Sequence, residues 1–377
     1  MKIVHVVHHY HPVIGGIERV VQRIAEEQAK LGHEVHIITS RYGAKGRPKE
    51  EIINGVHVHR VKAHRLLYPD LTIPREIPKE VLKQTDVVHA HSQNSLFNMM
   101  ILKRIKRRNP TIALHFMAVD ALKTHPNIIK RTVGAQYQEK MTKEGIKLAD
   151  LHLVKSRRDE EVLKKKYALN PVYIPDGIDE YYLTKPKDET TFREKFGIHE
   201  ENVILYIGRL HPAKGPHILI KAIPHITKHE RDIKVVFIGP GDSTWLIKLA
   251  KKLNVEKYTL FTGPVPEEVK ISAIDTSKCI VIPSLYDYVE TFSLVASEAW
   301  ARGKPVIASA VGELPYRVKH EANGLLVPPN DPEALANAIR ISLHCNNFMI
   351  REELTTWVQI ADILCNIYRH SITIRSQ

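Results

Sequence analysis

A chain of 377 residues with 43% hydrophobic and 26% charged side chains is not a disordered polymer, and it is too long for one ordinary core. The formal net charge of +13 is unevenly spread: residues 1–175 hold 31 Lys and Arg against 17 Asp and Glu, and the remainder holds 24 against 25. The first half therefore either meets something anionic, such as nucleic acid, anionic lipid or a phosphorylated acceptor, or is simply a basic surface.

In chain order, "KIVHVV" (2–7), the amphipathic "GIERVVQRIAEEQAKLG" (16–32) and "HEVHIITS" (33–40) read as strand, helix and strand, a unit that implies a parallel sheet faced by helices. Further strands are expected at "GVHVHRV" (55–61), "DVVHAHS" (86–92), "TIALHF" (111–116) and "LHLVKS" (151–156). The pattern breaks near residue 175 in "NPVYIPDGIDEYYLTKPKDET", where prolines and acidic residues mark a boundary. A second alternation follows, with strands in "NVILYIGRL", "KVVFIGPG", "YTLFTGPV", "CIVIPS", "PVIAS" and "GLLVPP" and helices in "HILIKAIPHI", "TWLIKLAKKLN", "FSLVASEAWARG" and "PEALANAIRISL". The fold class expected is α/β, two Rossmann-like doubly wound domains facing a central cleft at the carboxyl ends of their strands. The domains would span 1–175 and 176–356, with a last helix, 357–377, whose apolar residues at 357, 360, 361, 364, 367 and 368 have helical spacing and return it to the first domain. Cys279, Cys345 and Cys365 show no CxxC pair and no metal spacing, and neither a leader segment nor a membrane span is visible, so a cytoplasmic location is expected.

Five short stretches carry candidate chemistry. "GRLHPAKG" places Arg209 and Lys214 after a buried strand, where they either hold an anion or are two solvated bases. "IGPGD" brings Gly239, a weak signal for close approach of a nucleotide to the backbone. Gly15 and Gly16 in "PVIGGIERVV" open a helix whose amides can face a phosphate, or form a tight turn without a ligand. His115 in "ALHFMAVD" is a candidate donor to a sugar hydroxyl or a leaving phosphate, or one more structural histidine among 22. Finally "ETFSLVASE" sets Glu290 and Glu298 eight positions apart, about 12 Å on a helix, a separation one extended polar ligand can bridge. The plainer alternative is that Glu290 complements a helix N-terminus capped by Thr291 and Glu298 is solvated.

Together "GGIERVV", "DVVHAHS", "IPDGID", "YIGRLHPAKG", "PSLYDYVETFSLVASEAWARGKPVIAS", "NGLLVPPNDPEALANAI" and "TTWVQIADILCNIYRH" resemble, nearly end to end, the family 4 retaining glycosyltransferases of GT-B architecture. The resemblance implies transfer of a hexose-type sugar from a UDP- or GDP-linked donor to an acceptor hydroxyl, on a lipid-linked or saccharide acceptor. It makes Glu290 and Glu298 an E-x7-E element, with Glu290 on the donor sugar and Glu298 on the ribose, and turns the amides of Phe292, Ser293 and Leu294 toward the diphosphate. It sets Arg209 and Lys214 on the leaving diphosphate, so that neither metal nor cofactor is needed, with Gly16 supporting the phosphate or acceptor and His115 beside the transferring sugar. No carboxylate is assigned as nucleophile, which favours front-face attack with the leaving phosphate accepting the acceptor's proton and Glu290 as a positioning residue. Three departures stand out. Thr291 and Ser293 replace glycines of the usual E-G-F-G stretch, Glu313 and Tyr316 replace a commoner glycine and glutamate, and the segment before Trp357 is short.

Two rivals remain. A nucleotide-sugar epimerase of the same architecture would convert donor without acceptor, and a nucleic-acid-binding protein would interleave aromatic residues with its basic clusters, which "KRIKRR" (103–108) does not. An anionic membrane is a candidate partner of the first domain, through "LFNMMILKRIKRRNP" (96–110) and "HPNIIKRTVGAQYQEKMTK" (125–143); alternatively the apolar half of the first segment packs on the sheet.

Overall fold

The computed structural model describes the chain except residues 14, 67, 107–109, 346, 347, 351, 352 and 377. Two compact units emerge: Met1–Gly177 with Thr355–Gln377, and Ile178–Leu354. In the first, β1 (Lys2–Val6), β2 (Glu34–Ser40), β3 (Glu50–Ile53), β4 (Val56–Val61), β7 (Val87–His91), β8 (Thr111–Phe116), β9 (Leu151–Val154) and β10 (Val172–Tyr173) form one sheet in the order β10-β9-β8-β7-β1-β2-β4-β3. β5 (Ala63–Arg65) and β6 (Thr72–Pro74) make a separate antiparallel pair. All pairings in the large sheet are parallel except β3 with β4, and β3 is a strand that the sequence pattern does not reveal.

Helix Gly16–Lys30 buries Val20, Val21, Ile24 and Ala25 at helical spacing and stops at Gly32, whose φ of +83° a side chain would strain. Ser95 and Ser156 cap the helices Leu96–Ile105 and Arg157–Tyr167 by accepting from the amides of Asn98 and Asp159. The last helix, Trp357–Ser376, buries Trp357, Ile360, Ala361, Leu364, Cys365 and Tyr368 within the first unit, and the Tyr368 hydroxyl lies 2.7 Å from His89 Nδ1. Gly177 has to be glycine, because a Cβ there would sit 2.7 Å from the Trp357 ring.

The second unit carries β11 (Asn202–Ile207), β12 (Ile233–Ile238), β13 (Thr259–Gly263), β14 (Cys279–Ile282), β15 (Val306–Ser309) and β16 (Gly324–Val327) in the order β13-β12-β11-β14-β15-β16, all parallel. Its central strands are apolar on both faces, as a sheet covered on both sides requires. Helices Pro216–Thr227 and Pro332–His344 cover one face with Ile218, Leu219, Ile223, Leu335 and Ile339; Glu267–Thr276 and Leu294–Ala301 cover the other with Ile271, Ile274, Ala296 and Trp300. Among the described residues no helix is long and apolar enough to cross a membrane.

Candidate active site

Strand order in the second unit reverses between β11 and β14, and loops leaving neighbouring strands at such a point part to leave a crevice for a ligand. The two loops are stitched at their base. Gly215, at φ +71°, has no room for a Cβ against the Pro283 carbonyl, and the Leu285 amide donates to the Ala213 carbonyl at 3.0 Å. That closure brings Lys214 Nζ to 2.7 Å from Glu290 Oε1 and 3.3 Å from the Val289 carbonyl. The Ser284 hydroxyl donates to the same carboxylate oxygen at 2.6 Å. Glu290 is buried while the Lys214 side chain is 25% exposed, so Lys214 is the member of the pair open to solvent. Burial and the charge of Glu290 push the Tyr206 phenol up, leaving it a neutral donor to the Arg209 carbonyl at 2.7 Å. The Arg209 side chain is exposed and has no ion-pair or hydrogen-bond partner among the described residues.

The eight-residue spacing of Glu290 and Glu298 is not a helical one. Helix begins only at Leu294, so neither the shared-face argument nor a Thr291 cap applies. Glu290 instead lies in the loop, its carbonyl accepting from the Glu313 amide at 2.8 Å. Glu298 is buried rather than solvated, with Oε1 3.1 Å from Lys270 Nζ. Between them Thr291, Ser293 and Leu294 are half-buried and Phe292 is buried. Ser293 adopts φ +74° and ψ +84°, the backbone state for which glycine is the natural residue. The turn is held by Arg317, which donates to the carbonyls of Phe292 (2.8 Å) and Ser293 (2.9 Å) and lies 3.8 Å over the Phe292 ring. Ser293→Gly is expected to stabilise the protein by about 0.5–1 kcal/mol, the left-handed strain relieved less the added unfolded-state entropy. A urea midpoint unchanged or lowered in that variant contradicts the assignment of strain.

Gly239 follows β12 at φ +140°, and what demands its bareness is the Gly208 carbonyl of the next strand-end loop. Gly16 opens its 15-residue helix with no side-chain cap, and a Cβ there would meet nothing within 4 Å. His115 lies one residue from the carboxyl end of β8 and is buried, with Nδ1 3.0 Å from His89 Nε2, and burial lowers its pKa to about 3. The strand register explains this, because parallel pairing sets His115 against His91 and His5 against His89, on one covered face. That histidine group was readable from "KIVHVV" and from the alternate histidines of "DVVHAHS". Lys270 and Arg317 were not, since each acts through a partner distant in sequence.

A Rossmann-like sheet with a lysine–glutamate pair at its switch point defines a class, the ligand-binding α/β proteins of two compact units. The description Glycosyltransferase Family 4 matches residues 14–181 and Glycosyl transferases group 1 matches residues 188–359. The chain belongs to this glycosyltransferase family, which bears out the resemblance in its sequence. An uncharacterised glycosyltransferase of Methanocaldococcus jannaschii is 28% identical over 98% of both chains. A D-inositol 3-phosphate glycosyltransferase of Nocardia farcinica is 29% identical, covering 86% of this chain and 76% of its own. Among solved structures, sucrose-phosphate synthase of Thermosynechococcus elongatus superposes with a TM-score of 0.79 at 24% identity over 99% of both chains. Anabaena HepE in complex with UDP and glucose superposes with a TM-score of 0.75 at 17% identity, over 98% of this chain and 99% of its own.

Proposed function

We propose that this glycosyltransferase moves a hexose-type sugar from a nucleotide-diphosphate donor to an acceptor hydroxyl with retention of configuration. The observation that carries this reading is the Lys214–Glu290 pair at the switch point, with the exposed Arg209, which has no ion-pair or hydrogen-bond partner for its side chain among the described residues, on the same strand-end loop. A donor diphosphate gives the Arg209 guanidinium an anion and offers the Lys214 ammonium a second one beside Glu290. As the glycosidic bond breaks, charge grows on that diphosphate, and two fixed cations stabilise it without a divalent ion. Glu290, relieved of part of its bond to Lys214, accepts from donor-sugar hydroxyls; the amides of Phe292, Ser293 and Leu294 meet the diphosphate, and Glu298 the ribose. Attack comes from the face of the departing phosphate, which takes the acceptor's proton, so Glu290 positions and does not bond. Gly16 and its helix N-terminus serve the acceptor or its phosphate. The complex of HepE with UDP supports a uridine donor. In calorimetry, Glu298→Ala is expected to weaken nucleoside diphosphate and nucleotide sugar alike, whereas Glu290→Ala spares the free nucleotide and depresses transfer. Undiminished diphosphate binding by folded Glu298→Ala defeats this placement of the donor.

An anionic membrane as the acceptor's location rests on one patch. In helix Leu96–Ile105 the apolar residues Phe97, Met99, Ile101 and Leu102 are buried, so this helix offers no face to lipid, and Arg107 and Arg108 lie outside the described residues. The second segment differs: Ile128, Ile129 and Val133 are each more than half exposed beside Lys130 and Arg131, the composition of an interfacial contact. Flotation with anionic vesicles at low salt is expected for the wild type and lost on Ile128, Ile129→Ser. Equal partition to neutral vesicles points to a soluble saccharide acceptor instead.

A further inference from the structure

The proposed glycosyl transfer assigns no role to His5, His89 and His91, which are buried in the first unit. By register His5 stands opposite His89 and His91 opposite His115, and His89 and His91 are two apart on one strand, so all four rings share a face of the sheet. Gln28 of helix Gly16–Lys30 and Tyr368 of helix Trp357–Ser376 close over them. His5, His89 and His91 are fully buried, and each offers a ring nitrogen within 4.8 Å of the other two.

We propose that His5, His89 and His91 form a structural site for a zinc-class transition-metal ion. Neutral imidazole nitrogens suit such an ion, and three of them converge here without a carboxylate or a fixed cation among them. The surrounding contacts are of the kind that aims histidine ligands. Gln28 Oε1 accepts from His5 Nε2 at 2.7 Å, which fixes the ring's proton there and leaves Nδ1 as a lone pair facing His91 Nε2 at 3.0 Å. The Tyr368 hydroxyl at 2.7 Å from His89 Nδ1 orients the second ring. His91 Nδ1 is buried and has no hydrogen-bond partner among the described residues, so without an ion the ring keeps its proton on Nε2, facing His5 Nδ1. With one, the His91 proton moves to Nδ1 and frees Nε2 as a ligand, while His115, 3.0 Å from His89, is the nearest further donor. The Lys155 charge is balanced by Asp176 at 2.8 Å, so an entering cation meets no uncompensated positive group there.

The test uses the full chain without a histidine tag, loaded with Zn2+ or Co2+, freed of excess ion and assayed for metal content. One ion per chain, tetrahedral visible bands with Co2+ and a thermal midpoint raised by Zn2+ are expected. His5→Gln with His91→Gln should abolish all three, His57→Gln with His59→Gln on another part of the sheet should leave them intact, and Gln28→Leu should weaken binding about 10–100-fold. Absence of stoichiometric metal and of cobalt bands in the wild type overturns the proposal, as does unchanged binding in the His5, His91 double variant. If that variant does not fold, the wild-type cobalt spectrum and the Gln28→Leu affinity decide the matter.

Discussion

Replacing Lys214 by Ala is expected to lower turnover at saturating donor by about 10² or more, the usual consequence of losing a group that meets developing charge. Two roles have to be separated in that variant, because the same ammonium is bonded to Glu290, a carboxylate only 3% exposed whose other partner is the Ser284 hydroxyl. Loss of Lys214 therefore also leaves a poorly solvated charge with one neutral donor, and some loss of stability should accompany the loss of rate. Arg209→Ala separates the effects. Its side chain has no partner among the described residues, so turnover should fall by a comparable factor while the unfolding midpoint stays put. Near-normal turnover in Lys214→Ala at saturating donor refutes the leaving-group role, and a fall only in apparent donor affinity reduces Lys214 to a binding residue.

The largest effect on stability is expected at Arg302, to which no contact with donor or acceptor is assigned. Its guanidinium donates to both oxygens of Asp275, at 2.8 and 2.6 Å, and to the carbonyls of Tyr182, Lys185 and Pro186. Neither side chain of the pair is more than 3% exposed. Arg302→Leu leaves a buried carboxylate without its counter-ion and three carbonyls without donors, and should cost about 3–5 kcal/mol in denaturant unfolding. Arg302→Lys should recover little, since a point charge cannot span five acceptor contacts. Removing Asp275 as well should cost distinctly less than the sum of the single changes; additive losses in that cycle show that the two do not act as a pair.

Most strands and helices were legible because their apolar residues repeat with the period of the element that holds them. What periodicity could not supply is particular. β3, "EEII", lies at the sheet edge and alternates in exposure, so its apolar residues form no run. Helix Glu267–Thr276 is buried nearly all round, Lys270 and Asp275 included, which erases the amphipathic stripe by which helices are found. At the candidate site the residue types were legible and their geometry was not. Glu290 and Glu298 attracted notice as a spaced pair, yet the distance between them is set by a left-handed turn at Ser293 that Arg317 clasps from 24 positions away. The departure of Ser293 from the family's glycine was visible in the sequence; that the backbone there still adopts the glycine conformation was not. The burial of His115 was not legible either, since a strand end says nothing of which helices cover the face on which the ring lies.

The return of the last helix to the first unit has a consequence for biosynthesis. The sheet of residues 1–177 leaves the ribosome before residues 178–354, but Trp357, Ile360, Leu364 and Tyr368, which cover part of it, are made only after that whole second unit. The unit drawn from one continuous stretch, Ile178–Leu354, can close as soon as it emerges. The amino-terminal half is thus translated early and completed late, leaving the histidine-bearing part of its sheet uncovered in the interval.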